Sequence, residues 1–245
     1  MSDNSLNMIS NHPHISVVIP AINEEKYIKN VFAGLDAQTF RNFEVIVVDG
    51  ESKDRTRDIA KKHAKVIIER RKGTGRARNA GAEIAKGKIL VFIDADTKPS
   101  EELLMSYNKA FDDDKVVAAT GPILPLEKDS RLAIRLGYSF VTKYILRIAM
   151  VFGRPSVVGS NFAVRKDAFD KAGGFDKKMM TYEDWDLSNR LKKFGKIAYL
   201  KEAIVKTSTR RVVRWGIVGY IIFYIEDMIR YHLFKKTKSN YKQIR

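Results

Sequence analysis

KILVFIDADTKPS, residues 88–100, holds an apolar run, Leu90 to Ile93, that stops abruptly at Asp94-Ala95-Asp96. Aspartate is a poor strand former and costly to bury unpaired, so a buried strand ending in two carboxylates needs a reason. Residues i and i+2 of a strand point to the same side. Asp94 and Asp96 are therefore expected to face one way, with Ala95 small enough to let a ligand approach. Two aligned carboxylates with an open front suit a hard divalent cation, Mg²⁺ or Mn²⁺, that keeps positions for phosphate oxygens. The competing reading is local: Asp94 caps the next turn and Asp96 forms an Asx turn before Pro99.

Working towards the N-terminus, the same pattern recurs. ISVVIPAINEE opens with a run, Ile15 to Ile19, that reads as a fully buried strand. Asn23, Glu24 and Glu25 mark a helix start, and Ile28, Val31, Phe32 and Leu35 follow at helical spacing. FEVIVVDGES is a second buried strand that ends in Asp49-Gly50, and AKVIIER is a short third strand. GTGRARNAGAEIAKG is a Gly-rich turn entering a helix of small residues, after which comes the strand of residues 88–100. This β-α alternation predicts a parallel sheet with helices on both faces, whose ligand sits at the C-terminal strand ends. Pro20 to Glu24, Asp49-Gly50 and the Asp94/Asp96 pair all lie at such ends.

The turn RRKGTGRARN supplies Arg70, Arg71, Lys72, Arg76 and Arg78 near that edge. Acids for a metal beside cations for phosphate imply a nucleotide diphosphate. Gly73 and Gly75 mimic a dinucleotide fingerprint, but position 78 is arginine and the turn follows the third strand. No P-loop motif occurs either.

Length and composition set the outer bounds. The chain has 245 residues, 44% of them hydrophobic and 30% charged, which suits one sizeable α/β domain. It has no cysteine, so disulfides and thiolate chemistry are excluded. Residues 1–13 read as a loose polar leader without the apolar core of a signal peptide. The net charge is +16, and from Val205 onward ten Lys/Arg face two acids, a local excess of +8.

Beyond Pro99 come a helix (Leu103, Leu104, Tyr107, Phe111), a strand in KVVAATGPI, and a strand, turn and helix in SVVGSNFAVRKDAFDKAGGFD. TYEDWDLSNRLKKFG places Glu183-Asp184 at the head of an amphipathic helix, where acids also complement the helix dipole. KIAYLKEAIVKTSTRR reads as closing strands. Residues 128–155 form an apolar insertion interrupted by Arg131, Arg135, Lys143 and Arg147. In the tail, the uncharged stretch from Trp215 to Ile225 has eleven residues, short of the about 20 that cross a bilayer as a helix.

Five stretches carry a resemblance: VVIPAINEE, VIVVDGESKDRT, GTGRARNAGAEIAKGKILVFIDAD, GSNFAVRKDAFDKAGGFD and YEDWDLSNRL. In this order and spacing, over about residues 14–200, the chain resembles the family 2 glycosyltransferases of GT-A fold. The resemblance implies a nucleotide-diphospho-sugar transferase fold: a mostly parallel central sheet flanked by helices, with a catalytic domain over 14–205. Its nucleotide-binding half is 14–100 and its acceptor half 101–205, and a basic amphipathic segment follows at 206–245. It implies that Pro20, Ala21, Asn23, Glu24 and Asp49 contact base and ribose, with Gly75, Arg76 and Ala95 lining the nucleotide sugar. Asp94 would lie near ribose and metal, and Asp96 would ligate Mn²⁺ or Mg²⁺ directly. Asp184, beside Glu183, would be the general base of an inverting single displacement. Gly159, Ser160, Asn161, Trp185 and Trp215 would lie on the acceptor side. RVVRW, residues 211–215, resembles the Q-x-x-R-W of processive members, with arginine in place of glutamine. That departure argues against processivity; Arg214 is expected to reach the donor diphosphate or to flank a membrane-surface helix.

The expected partners follow. The donor is a nucleotide-diphospho-sugar, with UDP favoured, and the reaction is a hexosyl transfer to a glycan or lipid-linked acceptor. Segments 131–152 and 212–234, with Trp215, Tyr220, Phe223 and Tyr224, suit a peripheral seat on the inner, cytoplasmic face of the cell membrane. Packing on the domain or a homo-oligomer contact is the alternative. A polyprenyl-phosphate acceptor is already anionic and needs no general base, so Glu183-Asp184 favours a hydroxyl acceptor. Other classes compatible with the basic charge are a nucleic-acid binder and a non-catalytic nucleotide-sugar binder. No reader motif supports the former, so no nucleic-acid partner is expected.

Overall fold

The structure, a computed structural model, describes residues 12–127 and 157–234. Most of the expected leader, the whole insertion of 128–155 and the last residues of the basic tail lie outside the described residues. Four parallel-type strands are built from the apolar runs: β1 (Ile15–Ala21), β2 (Phe43–Asp49), β3 (Lys65–Ile68) and β4 (Ile89–Ile93). Between them run α1 (Ile28–Asp36), α2 (Thr56–Ala60) and α3 (Thr74–Ile84). The second half adds β5 (Thr97–Pro99), α4 (Leu103–Ala110), β6 (Val116–Thr120), β7 (Ile123–Pro125), β8 (Asn161–Arg165) and α5 (Lys166–Lys171). It closes with α6 (Glu183–Leu191), β9 (Lys196–Tyr199), β10 (Val205–Thr207) and α7 (Arg210–Phe234).

The main sheet has the order β3-β2-β1-β4-β8-β6-β9. Its pairings are parallel except those of β8, which runs antiparallel to both β4 and β6. Period-two alternation divides the strand side chains between two cores. Ile89, Val91 and Ile93 of β4 join α1 and α4 on one face, whereas Leu90 and Phe92 join α3, α5 and α6 on the other. Both faces are covered, which is why these strands read as continuous apolar runs.

Small residues let α3 lie close on the sheet. A Cβ at Gly81 would stand 2.3 Å from Val18 Cγ1 and 3.0 Å from Val48 Cγ2. Below α3, Phe92, Phe162, Phe169 and Phe175 form an aromatic cluster with ring centroids 4.8 to 5.9 Å apart. This packing holds α3 against β1 and β2.

A second sheet has the order β5-β10-β7. Its β5 follows immediately on the Asp94-Ala95-Asp96 turn, and Thr97 pairs with Thr207 of β10. Two segments more than a hundred residues apart in sequence are thereby brought side by side.

Candidate active site

The ends of β1 and β2 lie in register, Ala21 opposite Asp49. Their loops are joined. Gly50 N–H donates to Ala21 O at 2.8 Å, Asn23 N–H to Ser52 Oγ at 2.9 Å, and Lys53 N–H to Asn23 Oδ1 at 2.7 Å. Asn23 takes a left-handed φ of 52°, a conformation that asparagine tolerates better than most residues. Asp49 is fully buried, and its Oδ2 accepts from Arg57 Nη2 at 2.7 Å and from Ser52 N–H at 3.1 Å. Its Oδ1 is buried with no hydrogen-bond partner. A buried acceptor at a strand end is a place for a ligand N–H.

Asp94 and Asp96 depart from the strand expectation. β4 ends at Ile93, and Asp94 to Asp96 form a turn in which Thr97 N–H donates to Asp94 O at 3.1 Å. The local turn reading is therefore correct for the backbone, and the two side chains take different partners. Asp94 Oδ1 accepts from Arg78 Nη2 at 2.9 Å, whereas Asp96 Oδ2 lies 3.1 Å from Arg210 Nη2. They remain electrostatic neighbours: burial first, and then the Asp94 charge, push Asp96 up to about 7 against the pull of Arg210. Ala95 is buried in the same turn.

Arg78 is the hub. It is 3% exposed, and its Nη1 donates to Glu183 Oε1 at 3.0 Å while Nη2 holds Asp94. Its guanidinium lies 5.4 Å from the Phe175 ring centroid. One planar fork thus ties Asp94 of the turn after β4 to the acid at the head of α6. Gly159 makes this possible, because a Cβ there would stand 2.6 Å from Arg78 Nη1. Gly75 packs against Phe175 and Glu183: a Cβ there would stand 3.1 Å from Phe175 Cβ and 3.5 Å from Glu183 Cγ.

Asp184 is held from two sides. Its Oδ2 accepts from Gly159 N–H at 3.0 Å and its Oδ1 from Trp185 N–H at 2.8 Å. Burial raises its pKa, and burial likewise pushes Glu183 up to about 7 despite Arg78, with the Asp184 charge adding to the rise.

The remaining expected residues fall in different places. Ser160 shares the turn with Gly159. Trp185 packs against Tyr182 and Tyr231, at centroid distances of 5.3 and 5.2 Å. Asn161 differs from the acceptor-side expectation. It is fully buried, accepts from Tyr107 Oη at 2.7 Å, and donates to Pro122 O and Ala203 O. Its amide is used in joining β8 to its neighbours. Trp215 packs on Phe223 within α7 itself, at 5.0 Å. Arg76 feels Glu69, and Pro20 lies within β1.

Arg214 is exposed on α7, whereas Arg210, one turn earlier, pairs with Glu24 and Asp96. Arg210 Nη1 and Nη2 donate to Glu24 Oε2 and Oε1 at 2.7 and 2.5 Å. The guanidinium also covers the Tyr27 ring at 4.7 Å. The second sheet explains this placement: with Thr207 opposite Thr97, the head of α7 follows directly beside the Asp96 turn. Ser208 N–H donates to Asp96 O at 3.1 Å, and Thr207 Oγ1 lies 3.3 Å from Asp96 Oδ1.

Comparison with known proteins shows the family. The profile of glycosyl transferase family 2 matches residues 16–173. The chain belongs to glycosyl transferase family 2. Family 2 relatives include glycosyltransferase AglE of Haloferax volcanii, 36% identical over 106 residues, covering 40% of this chain and 35% of that protein. An uncharacterized glycosyltransferase of Rickettsia prowazekii, RP339, is 26% identical over 203 residues, or 80% of this chain and 64% of its own length. The chain thus spans from about a third to under two thirds of these relatives. Among solved structures, the mannosyltransferase PcManGT of Pyrobaculum calidifontis, in complex with GDP-Man and Mn²⁺, superposes with a TM-score of 0.65. It is 21% identical, covering 89% of this chain and 66% of that one. S. aureus TarS 1-349 in complex with UDP-GlcNAc gives a TM-score of 0.62 at 21% identity, covering 80% of this chain and 58% of that one. The mostly parallel sheet with flanking helices is the GT-A architecture of these structures.

For a metal, this family 2 site offers Asp94 and Asp96. Among the described residues no three His, Cys, Asp or Glu side chains cluster as a complete ligand set. Two hard carboxylates fit a Mg²⁺- or Mn²⁺-type ion that takes its other ligands from phosphate and water. The site already receives a positive group, since Arg210 sits at Asp96.

Proposed function

We propose that this chain transfers a sugar from a nucleotide diphosphate, UDP favoured, to an acceptor hydroxyl on a glycan or lipid-linked glycan, with inversion at the anomeric carbon. The observation that carries the reading is the Arg78 bridge. It holds Asp94, on the donor side, and Glu183, next to Asp184, within one guanidinium's reach. Asp49, with its unpaired buried Oδ1, offers the base of the nucleotide an acceptor beside β1. Asp94 and Asp96 would hold Mn²⁺ or Mg²⁺, which when bound supplies positive charge to the departing diphosphate. Asp184 takes the proton of the attacking hydroxyl, with its orientation fixed by Gly159 N–H and Trp185 N–H. Support for the donor class comes from the GDP-Man and UDP-GlcNAc complexes of the structural neighbours. For the acceptor class it comes from a Bacillus subtilis relative, 33% identical over 99 residues, named as a putative teichuronic acid biosynthesis glycosyltransferase.

A donor-hydrolysis panel tests this. Purified protein with Mn²⁺ and a set of UDP- and GDP-sugars is expected to release nucleotide from at least one donor. Asp96→Ala is expected to lower that release by about a hundredfold or more, in the range found for removing a group that stabilises transition-state charge. Full Mn²⁺-dependent release by Asp96→Ala would defeat the assignment.

The seat of the reaction is proposed to be the cytoplasmic face of a membrane. Val213, Val218, Ile222, Ile229 and Leu233 of α7 are all exposed, on a helix carrying Arg214 and Arg230. Exposed apolar groups beside cations suit an anionic lipid surface. No helix among the described residues is long and apolar enough to cross a membrane. The protein is expected to sediment with phosphatidylglycerol vesicles at low salt and not with phosphatidylcholine vesicles. Val218→Asp with Ile222→Asp should abolish that sedimentation; retention by the double variant would exclude α7 as the contact.

A further inference from the structure

Arg210 is tied to the head of α7 and to the donor carboxylates at once. Its fork is bidentate on Glu24, and one of its nitrogens also lies 3.1 Å from Asp96 Oδ2. The backbone that carries it is braced as well. Glu127 accepts from Ser208 Oγ at 2.6 Å, from Thr209 N–H at 2.8 Å and from Thr209 Oγ1 at 3.1 Å. Ser208 N–H is bonded to the Asp96 carbonyl. The arginine side chain is only 15% exposed, as is that of Asp96. A cation so placed is part of the site's charge balance and not a surface ornament.

We propose that Arg210 is an internal counter-cation that occupies Asp96 until the donor diphosphate arrives, and so couples metal binding to nucleotide binding. The inference rests on the metal-and-donor reading above. A divalent ion approaching Asp96 meets a guanidinium already paired there. Displacing Arg210 alone leaves a largely buried positive charge with Glu24 as its remaining carboxylate, which opposes binding of the metal by itself. The diphosphate changes the balance. It brings new anionic oxygens, to which Arg210 can turn with charge-assisted hydrogen bonds while the metal takes Asp96. Metal and nucleotide then enter together. Because the displaced group is the first residue of α7, donor loading also removes one side-chain tie between that helix and the Asp96 turn, leaving the Ser208 and Thr209 bonds in place.

The far end of α7 gives this consequence a direction. The helix breaks at Gly216, where φ is 73°. Near its C-terminal end, Tyr231 Oη donates to Asp186 Oδ1 at 2.7 Å on α6, the helix that carries Glu183 and Asp184. α7 therefore spans from the donor carboxylates to the helix of the base, with a break between the two attachments.

The test is calorimetric titration of Mn²⁺ into the full chain, with and without saturating UDP, for wild type, Arg210→Gln, Arg210→Lys and Asp96→Asn. In wild type, UDP is expected to tighten Mn²⁺ strongly. In Arg210→Gln, Mn²⁺ alone should bind about tenfold tighter than to wild type, and the enhancement by UDP should shrink by a similar factor, as reciprocal coupling requires. Arg210→Lys keeps a positive charge that opposes the metal, so it should bind Mn²⁺ alone more weakly than Arg210→Gln does. If Arg210→Gln is marginally folded without ligand, the rise in melting temperature on adding Mn²⁺ alone gives the same answer, and it should exceed that of wild type. Unchanged Mn²⁺ affinity in Arg210→Gln, with binding still lost in Asp96→Asn, would overturn the counter-cation and leave the metal site standing. Mn²⁺ binding indifferent to Asp96→Asn would overturn the metal reading and this inference together.

Discussion

Asp184→Asn is expected to lower sugar transfer by about a hundredfold to ten-thousandfold, the usual contribution of a positioned general base. UDP binding should be unchanged, because Asp184 contacts Gly159 and Trp185 and none of the residues at the β1 and β2 ends. The amide keeps one oxygen to accept from Gly159 N–H, so the fold should lose no more than about one hydrogen bond, ~1 kcal/mol. Transfer kinetics with UDP titration on the same preparation separate the two effects. Equal transfer rates for variant and wild type would remove Asp184 from the chemistry. The pH profile sharpens the assignment. Burial raises Asp184 above the ordinary aspartate range, and the Asp184 charge adds to the rise of Glu183 beside it. The base is quenched where Asp184 is protonated and free where it is charged. Wild-type transfer should therefore fall as the pH drops. Glu183→Gln removes the like charge beside Asp184, so its acid limb should move to lower pH. An acid limb unmoved in Glu183→Gln would show that the pair does not share the titration.

Arg78→Met should be the most destabilising substitution at the site. It leaves the carboxylates of Glu183 and Asp94 facing each other without their shared cation. Breaking a buried ion pair by removing one partner costs about 3–5 kcal/mol. At about 2–4 °C per kcal/mol for a chain of this size, the melting temperature should fall by roughly 6–20 °C. The loss should depend on pH in a stated direction. Glu183 already titrates above its unfolded value, and Arg78 is what pulls it down. Without Arg78 its folded pKa rises further, so the native state holds the proton over a wider range. Destabilisation is then largest at pH 8, where the carboxylate must be charged. It shrinks as the pH falls through about 7, the wild-type folded value, below which the native state holds the proton with or without Arg78. Thermal melts at pH 8 and pH 5.5 measure this. A deficit equal at both pH values would mean that Arg78 acts through packing on Phe175 and not through charge.

Much of the donor half was legible in the sequence. The runs Ile15–Ile19, Phe43–Asp49 and Leu90–Ile93 are buried on both faces, so they needed no partner to be recognised as parallel strands. Asp49 and the Asp94/Asp96 pair were visible because an acid at the end of a buried apolar run is a poor strand former and costly to bury. Arg78 was seen only as one cation among several. A signal for its real place was present: Gly75, Arg78 and Ala82 share the buried face of α3 at helical spacing, and an arginine there needs carboxylate partners. For Asn161 the polar side chain gave no sign of whether it faced the cleft or the core.

By itself the sequence determined the order of strands and helices, the charge distribution, and which acids stand at strand and helix ends. These are local properties, set by side-chain period and by the cost of burying a charge. Only the tertiary structure decided which charges meet. Arg78 joins Asp94 to Glu183 because close packing at Gly81 and Gly159 brings three distant segments within one guanidinium's span. Arg210, and not Arg214, reaches Asp96 because β5 and β10, each three residues long, pair in one register. A strand that short, containing Lys98 and Pro99, carries no period to read. Its register comes from the partner strand, so the residue opposite Asp96 becomes known only when the chain is folded.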